Sequence, residues 1–210
     1  MSHCQKVVKA FAEDCAWVRT IRDHFAVLFE SGEKRQNLLG EVAGEFFHDM
    51  NLVLVDYLFV QMCRLTDPAS SGKGRTNLTS PYILELDWSQ ETHSELESAN
   101  RQLIEFRGKL ERARSKLIVH ADIDVRLGEL GVGEFSQQEE VEFWSALQAF
   151  GNAAYLEAFD EPFEIGVASQ GGDAHALVAH LIDAVDYEDM VQEDSDLILK
   201  RISLRRYGDA

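Results

Sequence analysis

Arg114 and His120 are the two side chains of this sequence best suited to act together on an anion. An imidazole has an ordinary pKa of about 6.5, so it takes and gives protons near neutral pH. A guanidinium stays cationic and grips a phosphate through paired N–H donors. The two suit attack by a ribose 2′-hydroxyl on the adjacent phosphodiester. The ring would move protons while the arginine holds the charge of the crowded phosphorane, with no metal or other cofactor required. Spacing alone leaves a plainer account open, because a histidine on an apolar helix face is commonly a hydrogen-bonded core residue.

The element that must position the pair is a long amphipathic helix, expected from about Thr92 to His120. Leu96, Ala99, Leu103, Phe106, Leu110, Ala113 and Leu117 recur at spacings of three and four. His120 occupies the next place on that stripe. Arg114 lies beside it, about 120° from His120 at ~3.6 residues per turn. Arg107 stands on the same flank seven residues earlier. The stripe would be a packed seam, with a cation and a titratable ring at its mouth.

Other helices frame the seam. Residues 3–30 predict a first helix, ended by Ser31-Gly32. A second runs from Glu33 to Leu65, with Leu39, Val42, Phe46, Met50, Val53, Tyr57, Gln61 and Leu65 in period. Gly40 and Gly44, four apart within it, predict a close backbone crossing. Asp67-Pro68 closes it, since the residue before proline disfavours the helical region. Ser80-Pro81 predicts an N-cap and a short helix to Trp88. The capping-box pattern Ser136-Gln-Gln-Glu139 opens a helix to Phe159. Asp173 would cap another, to about Val185, and a last helix would cover 194–206. Only Phe163–Val167 carries any strand-like alternation. The fold class is therefore all-α, an antiparallel bundle of four to six helices. The expected organisation is a bundle over 1–160 with a C-terminal helical extension over 161–210.

The formal net charge of −17 argues against a simple nucleic-acid coat, but the distribution is uneven. Residues 101–120 hold six basic and two acidic side chains, a net +4. Residues 121–198 hold nineteen acidic side chains and one basic, a net −18. An anion would be drawn to the seam helix or to Lys200, Arg201, Arg205 and Arg206 near the C-terminus. Cys4, Cys15 and Cys63 show no ligand spacing and read as reduced, buried thiols. The N-terminal residues carry no apolar signal core, and no run is long enough to span a bilayer, so a cytoplasmic, membrane-free protein is expected.

Other constellations are weaker. Gly72-Lys-Gly-Arg-Thr76 lacks the spacing of a phosphate loop, and no strand precedes it. His180 and Asp183 sit one helical turn apart near His175 and Asp186, without a third firm metal ligand, so no metal is assigned. Trp17, Phe46, Phe47, Trp144, Phe150 and Tyr155 fall on apolar faces and are expected in the core.

The stretch Arg114-Ser-Lys-Leu-Ile-Val-His120 resembles the signature of the HEPN superfamily: an arginine, usually a polar residue, and a histidine after four to six residues in all, five here. The block Arg64-Leu-Thr-Asp67-Pro68, followed by Asn77-Leu-Thr79, resembles the AbiU-type branch linked to abortive infection of phage-infected bacteria. The likeness covers roughly residues 33–160. It implies a helical homodimer in which two Arg/His motifs meet and cleave RNA without metal, leaving a 2′,3′-cyclic phosphate. His120 would be the acid/base and Arg114 the phosphate clamp. Ser115, where relatives often carry Asn, Asp or His, would orient the pair. Asp122 stands where some relatives carry a modifiable tyrosine, and would set the ring's tautomer. Arg107, Lys109, Arg112 and Lys116 would steer RNA. The expected partners are RNA, a second copy joined through the Arg114–His120 seam, and an antitoxin or regulatory protein. The alternative is a catalytically inactive nucleotide-binding or dimerisation module that docks a partner protein.

Overall fold

The computed structural model describes residues 1–70, 74–113, 135–166 and 172–193, without the side chains of 112, 113, 192 and 193. Six helices lie among them: α1 His3–Phe29, α2 Glu33–Thr66, α3 Ser80–Leu84, α4 Gln90–Ala113, α5 Gln137–Phe159 and α6 Ala174–Glu193. The described residues contain no strand, only an isolated bridge between Ser70 and Thr76. None of the described helices is long and apolar enough to cross a membrane.

The described chain forms two compact units. The first takes Met1–Asp23 and the described residues from Leu52 to Ala168. Its helices run antiparallel in pairs, as their contacts show. Asp14 of α1 meets Arg64 of α2 at 2.6 Å, while the Trp17 indole donates to the Tyr57 hydroxyl at 2.7 Å. Gln5 of α1 donates to the Ala158 carbonyl of α5 at 2.9 Å, and Arg22 meets Glu140 at the opposite end. The first turn of α4 lies by the end of α5, where the Ser89 amide donates to Glu157 at 2.9 Å. Lys109, near the end of α4, meets Glu139 at the start of α5.

The core of this unit follows the apolar periods. Leu96, Ala99, Leu103, Phe106 and Leu110 of α4 are all buried. So are Phe143, Leu147, Phe150 and Ala154 of α5, and Val8, Phe11 and Val18 of α1. Phe11 meets Phe150 edge-on at 5.7 Å, and Phe106 meets Phe143 at 4.9 Å. Each large side chain removed from water contributes about 1.5–3 kcal/mol, which is why these faces must be covered.

The second unit takes His24–Asn51 and the described residues from Ser169 to Ala210. Leu28, Leu39, Phe47, Ala174 and Val178 form its core, with Val27, Phe29, Leu38, Ala43 and Leu181 against it. Gly32, at φ 89°, makes the turn between α1 and α2, a conformation only glycine adopts cheaply. Arg35 secures the turn by donating to the Val27 carbonyl at 2.6 Å. Asp173 caps α6 as expected, accepting from the Ala176 amide at 3.0 Å.

Several expectations are corrected. The cap of α3 is Thr79, whose hydroxyl accepts from the Tyr82 amide, while Ser80 is the first helical residue. The helix stops at Leu84, and the Trp88 indole closes the turn by donating to the Ile83 carbonyl at 2.8 Å. Gly40 and Gly44 meet no close backbone: nothing lies within 4 Å of a Cβ built at either. Between them α2 kinks at Ala43, at φ −162° and ψ 64°. Residues 163–166 are not a strand, because side chains of α5 hold their backbone instead. Asn152 accepts from the Phe163 amide at 2.8 Å, and Gln148 bonds the Phe163 carbonyl and the Ile165 amide. The sixth helix continues past Val185 to Glu193. Trp17 and Phe46 are exposed, whereas Phe47, Trp144 and Phe150 are buried. Cys15 and Cys63 are buried free thiols, but Cys4 is only half-buried. The helix expected over 194–206 lies outside the described residues.

Candidate functional site at the end of the fourth helix

The described part of α4 ends at Ala113, one residue before Arg114, and the described residues resume at Phe135. Arg114, Ser115, Lys116, His120 and Asp122 therefore lie outside the described residues, as does the side chain of Arg112. What the structure gives is the frame on both sides of them.

The outgoing side is set by Arg107 and Lys109. Arg107 Nη2 donates to Asp67 Oδ1 at 3.0 Å and lies 3.7 Å from Glu111. The Arg107 and Asp67 side chains are 18% and 23% exposed, so solvent screens the pair only partly. Arg107 Nε is buried and makes no hydrogen bond. Lys109 pairs with Glu139, and the hydrogen bond raises its pKa above the ordinary lysine value. These two of the four expected RNA-steering heads thus face carboxylates, which a phosphate would have to displace.

The returning side is set by Phe135, Ser136 and Glu139. The Phe135 ring packs edge-on against Phe106 at 5.1 Å and Phe59 at 6.0 Å. The capping box forms as predicted: the Ser136 hydroxyl accepts from the Glu139 amide, and the Glu139 carboxylate accepts from the Ser136 amide at 2.6 Å. The hydrogen bond from Lys109, then those from Ser136, hold the Glu139 carboxyl down at about 2. The carboxylate therefore satisfies the helix start and ties it to α4. A cavity of about 80 Å³ beside this pair is lined by Glu105, Glu139 and Glu142 around Lys109, an environment hostile to a second anion.

Asp67 belongs to the Arg64–Pro68 block, and each residue there has a definite job. Arg64 pairs with Asp14 of α1. Leu65 and Thr66 are buried, and the Thr66 hydroxyl donates to the Met62 carbonyl at 2.9 Å. Asn77 returns to the block, its amide side chain donating to the Pro68 carbonyl at 2.9 Å and its backbone N–H to Ala69 at 2.8 Å. Thr79 then caps α3. Sequence reasoning missed the roles of Phe59, Phe135 and Asp67. Asp67 had a signal in its block, whereas nothing local marks the two rings.

Among the described residues, no group of three or more His, Cys, Asp and Glu side chains is placed to hold a metal. The family model HEPN_AbiU2, described as AbiU2, matches residues 1–186. The chain belongs to the HEPN AbiU2 family. The match runs from α1 well into α6, and the all-helical architecture agrees with it. This AbiU2-family chain is accordingly an HEPN domain of the kind associated with abortive infection. No curated protein and no solved structure matches it.

Proposed function

We propose that this AbiU2-family protein is a metal-independent endoribonuclease of a toxin or phage-defence system, acting as a homodimer in the cytoplasm. The observation that carries the reading is the Arg114/His120 pair, at the spacing of the family's signature, in a chain that matches the family over residues 1–186. The frame of α4 and α5 supports it, because both flanks of residues 114–134 are held by specific contacts.

His120 accepts the proton of the ribose 2′-hydroxyl as the oxygen attacks phosphorus. Arg114 binds the phosphorane oxygens through charge-assisted hydrogen bonds. A proton returned to the departing 5′-oxygen leaves a 2′,3′-cyclic phosphate and a 5′-hydroxyl. Ser115 orients the pair, and Asp122 selects the ring's tautomer. Arg112 and Lys116 supply the steering charge, since Arg107 and Lys109 already sit against carboxylates. The test is digestion of RNA in EDTA. Wild type should cleave, giving cyclic-phosphate ends, while His120→Ala and Arg114→Ala lose at least about a hundredfold in rate. Equal cleavage by wild type and His120→Ala removes the mechanism.

The two committed cations and the net charge of −17 favour a second reading, a non-catalytic dimerisation or nucleotide-binding module that docks a regulatory partner. RNA left intact at stoichiometric protein, with dimers preserved in Arg114→Ala, would select it.

A further inference from the structure

We propose that the Asp67–Arg107 pair is a positioning strut. It fixes the rotation and height of the end of α4 against the loop that follows α2, and so sets where the Arg114/His120 stretch departs. This rests on the nuclease reading above and adds two positioning residues to it.

The geometry makes a poor case for the pair as a plain stabilising device. It is about four-fifths buried, and Arg107 Nε lies buried without a partner. Desolvating two ions and stranding a donor offsets most of the Coulombic gain, and an aliphatic side chain would fill such a place about as well. What the contact adds is direction: Arg107 Nη2 donates one hydrogen bond to Asp67 Oδ1, and such a bond weakens steeply as its angle departs from linear.

The helix needs that direction. Around Arg107, the buried contacts of α4 are apolar, through Phe106 and Leu110, and its other polar tie, Lys109 to Glu139 of α5, is a third exposed and so more screened than the Asp67 pair. Apolar contacts are not directional, so they resist rotation of a helix less well than a polar contact does. Arg107 lies six residues before Ala113, where the described part of α4 ends, so a rotation at Arg107 is carried to that end, next to Arg114 in the sequence.

The Asp67 end is anchored in turn. Thr66, next to it, is fully buried and donates to the Met62 carbonyl. Arg64 is paired to α1, and Asn77 clamps the Pro68 and Ala69 carbonyls from the far side of the loop. The strut thus joins a fixed point on the α2 side to the last turns of α4.

A rival role for Arg107, direct contact with RNA phosphate, predicts the opposite result from one substitution. Asp67→Asn removes the carboxylate that hydrogen-bonds the guanidinium and leaves the more exposed Glu111, 3.7 Å away. If Arg107 binds phosphate, KM falls and kcat is kept. If the pair is a strut, kcat falls about tenfold or more and KM stays. We would measure kcat and KM in EDTA on the full chain for wild type, Asp67→Asn, Arg107→Gln and the double variant. Both single variants should lose kcat at unchanged KM, and the double variant should lose no more than the worse single one. Lowered KM with full kcat in Asp67→Asn overturns the strut, as does full kcat in both single variants. Absence of cleavage by wild type overturns the nuclease reading and the strut with it. Should Asp67→Asn fail to fold, Arg107→Lys carries the test, since it keeps the charge and loses the planar fork. Reduced kcat at an unchanged melting temperature supports the strut, and wild-type kcat overturns it.

Discussion

Two apolar stripes of nearly identical spacing end up in opposite situations. On α4, Leu96, Ala99, Leu103, Phe106 and Leu110 are each no more than 5% exposed. On α2, Leu39 and Leu65 at the two ends are buried, but Val42, Phe46 and Val53 between them are 39%, 58% and 55% exposed. The difference lies in what faces each stripe. The α4 stripe has α5 against it, with Phe143 on Phe106. The α2 stripe is interrupted by the kink at Ala43, which turns successive residues away from a common line. Periodicity therefore reports that a helix forms and which residues share a face. Coverage of that face depends on a neighbour that can be far away in sequence.

The largest effect that tests this contrast is truncation on the two stripes. Leu103→Ala should cost about 2–5 kcal/mol, because it opens a cavity at a fully buried site. Phe46→Ser, a larger deletion on an equally periodic position, should stay within about 0.5 kcal/mol, since the ring is already mostly in water. Urea unfolding of both variants decides it. A Phe46 variant as damaged as the Leu103 one would mean that the α2 stripe is covered in solution.

The same contrast explains what was legible in advance. Helices α1, α2 and α5 were found within a residue or two because their ends carry local chemistry: Gly32 at positive φ, Pro68 after Asp67, and the Ser136–Glu139 box. The α3 cap was misplaced by one residue because Thr79 and Ser80 are both competent hydroxyls and both buried; what separates them is that Thr79 is extended, at φ −146°, and accepts from the Tyr82 amide. Residues 163–166 were ambiguous because their backbone is satisfied by Gln148 and Asn152, more than ten residues back. At the candidate site, Arg107 and Lys109 were recognised as cations, but their partners lie 40 and 30 residues away. No local pattern reveals such a pairing, so heads already occupied by carboxylates looked available for RNA.

A smaller effect sharpens the account of the α4–α5 corner. Ser136→Ala removes the hydroxyl of the capping box and should cost about 1 kcal/mol. It should also change the acid dependence. Glu139 is held down at about 2, chiefly by Lys109, and then by Ser136. Its unfolded value is near 4.5, so the unfolded chain binds more protons between the two. Its contribution is therefore complete above about 4.5 and disappears as pH falls towards 2. Glu157 adds in the same direction through hydrogen bonds from Thr92 and Ser89. Glu140 does too: burial pushes it up, but Arg22 and Trp144 outweigh that and leave it lowered. Lys109, being raised, contributes below its ordinary value of 10.5 and loses that as pH rises through its folded value. Melting temperatures from pH 6 to pH 3 should fall in wild type and fall less steeply in Glu139→Gln. Parallel curves would mean that the Lys109–Glu139 contact does not persist in solution.

The smallest effect separates the stripes at their glycines. Gly40 on α2 is helical and has open space where a Cβ would go. Gly40→Ala should therefore stabilise by about 0.5–1 kcal/mol, through helix propensity and a less disordered unfolded chain. Gly151 on α5 offers the same propensity gain, but a Cβ there would meet the Phe163 ring at 3.4 Å. That ring also packs on Tyr155 at 5.2 Å, so it has little freedom to withdraw. Gly151→Ala should gain nothing or lose a few tenths of a kcal/mol. Equal stabilisation by both substitutions, read from thermal melts, would show that α5 is packed no more tightly at this point than the open face of α2.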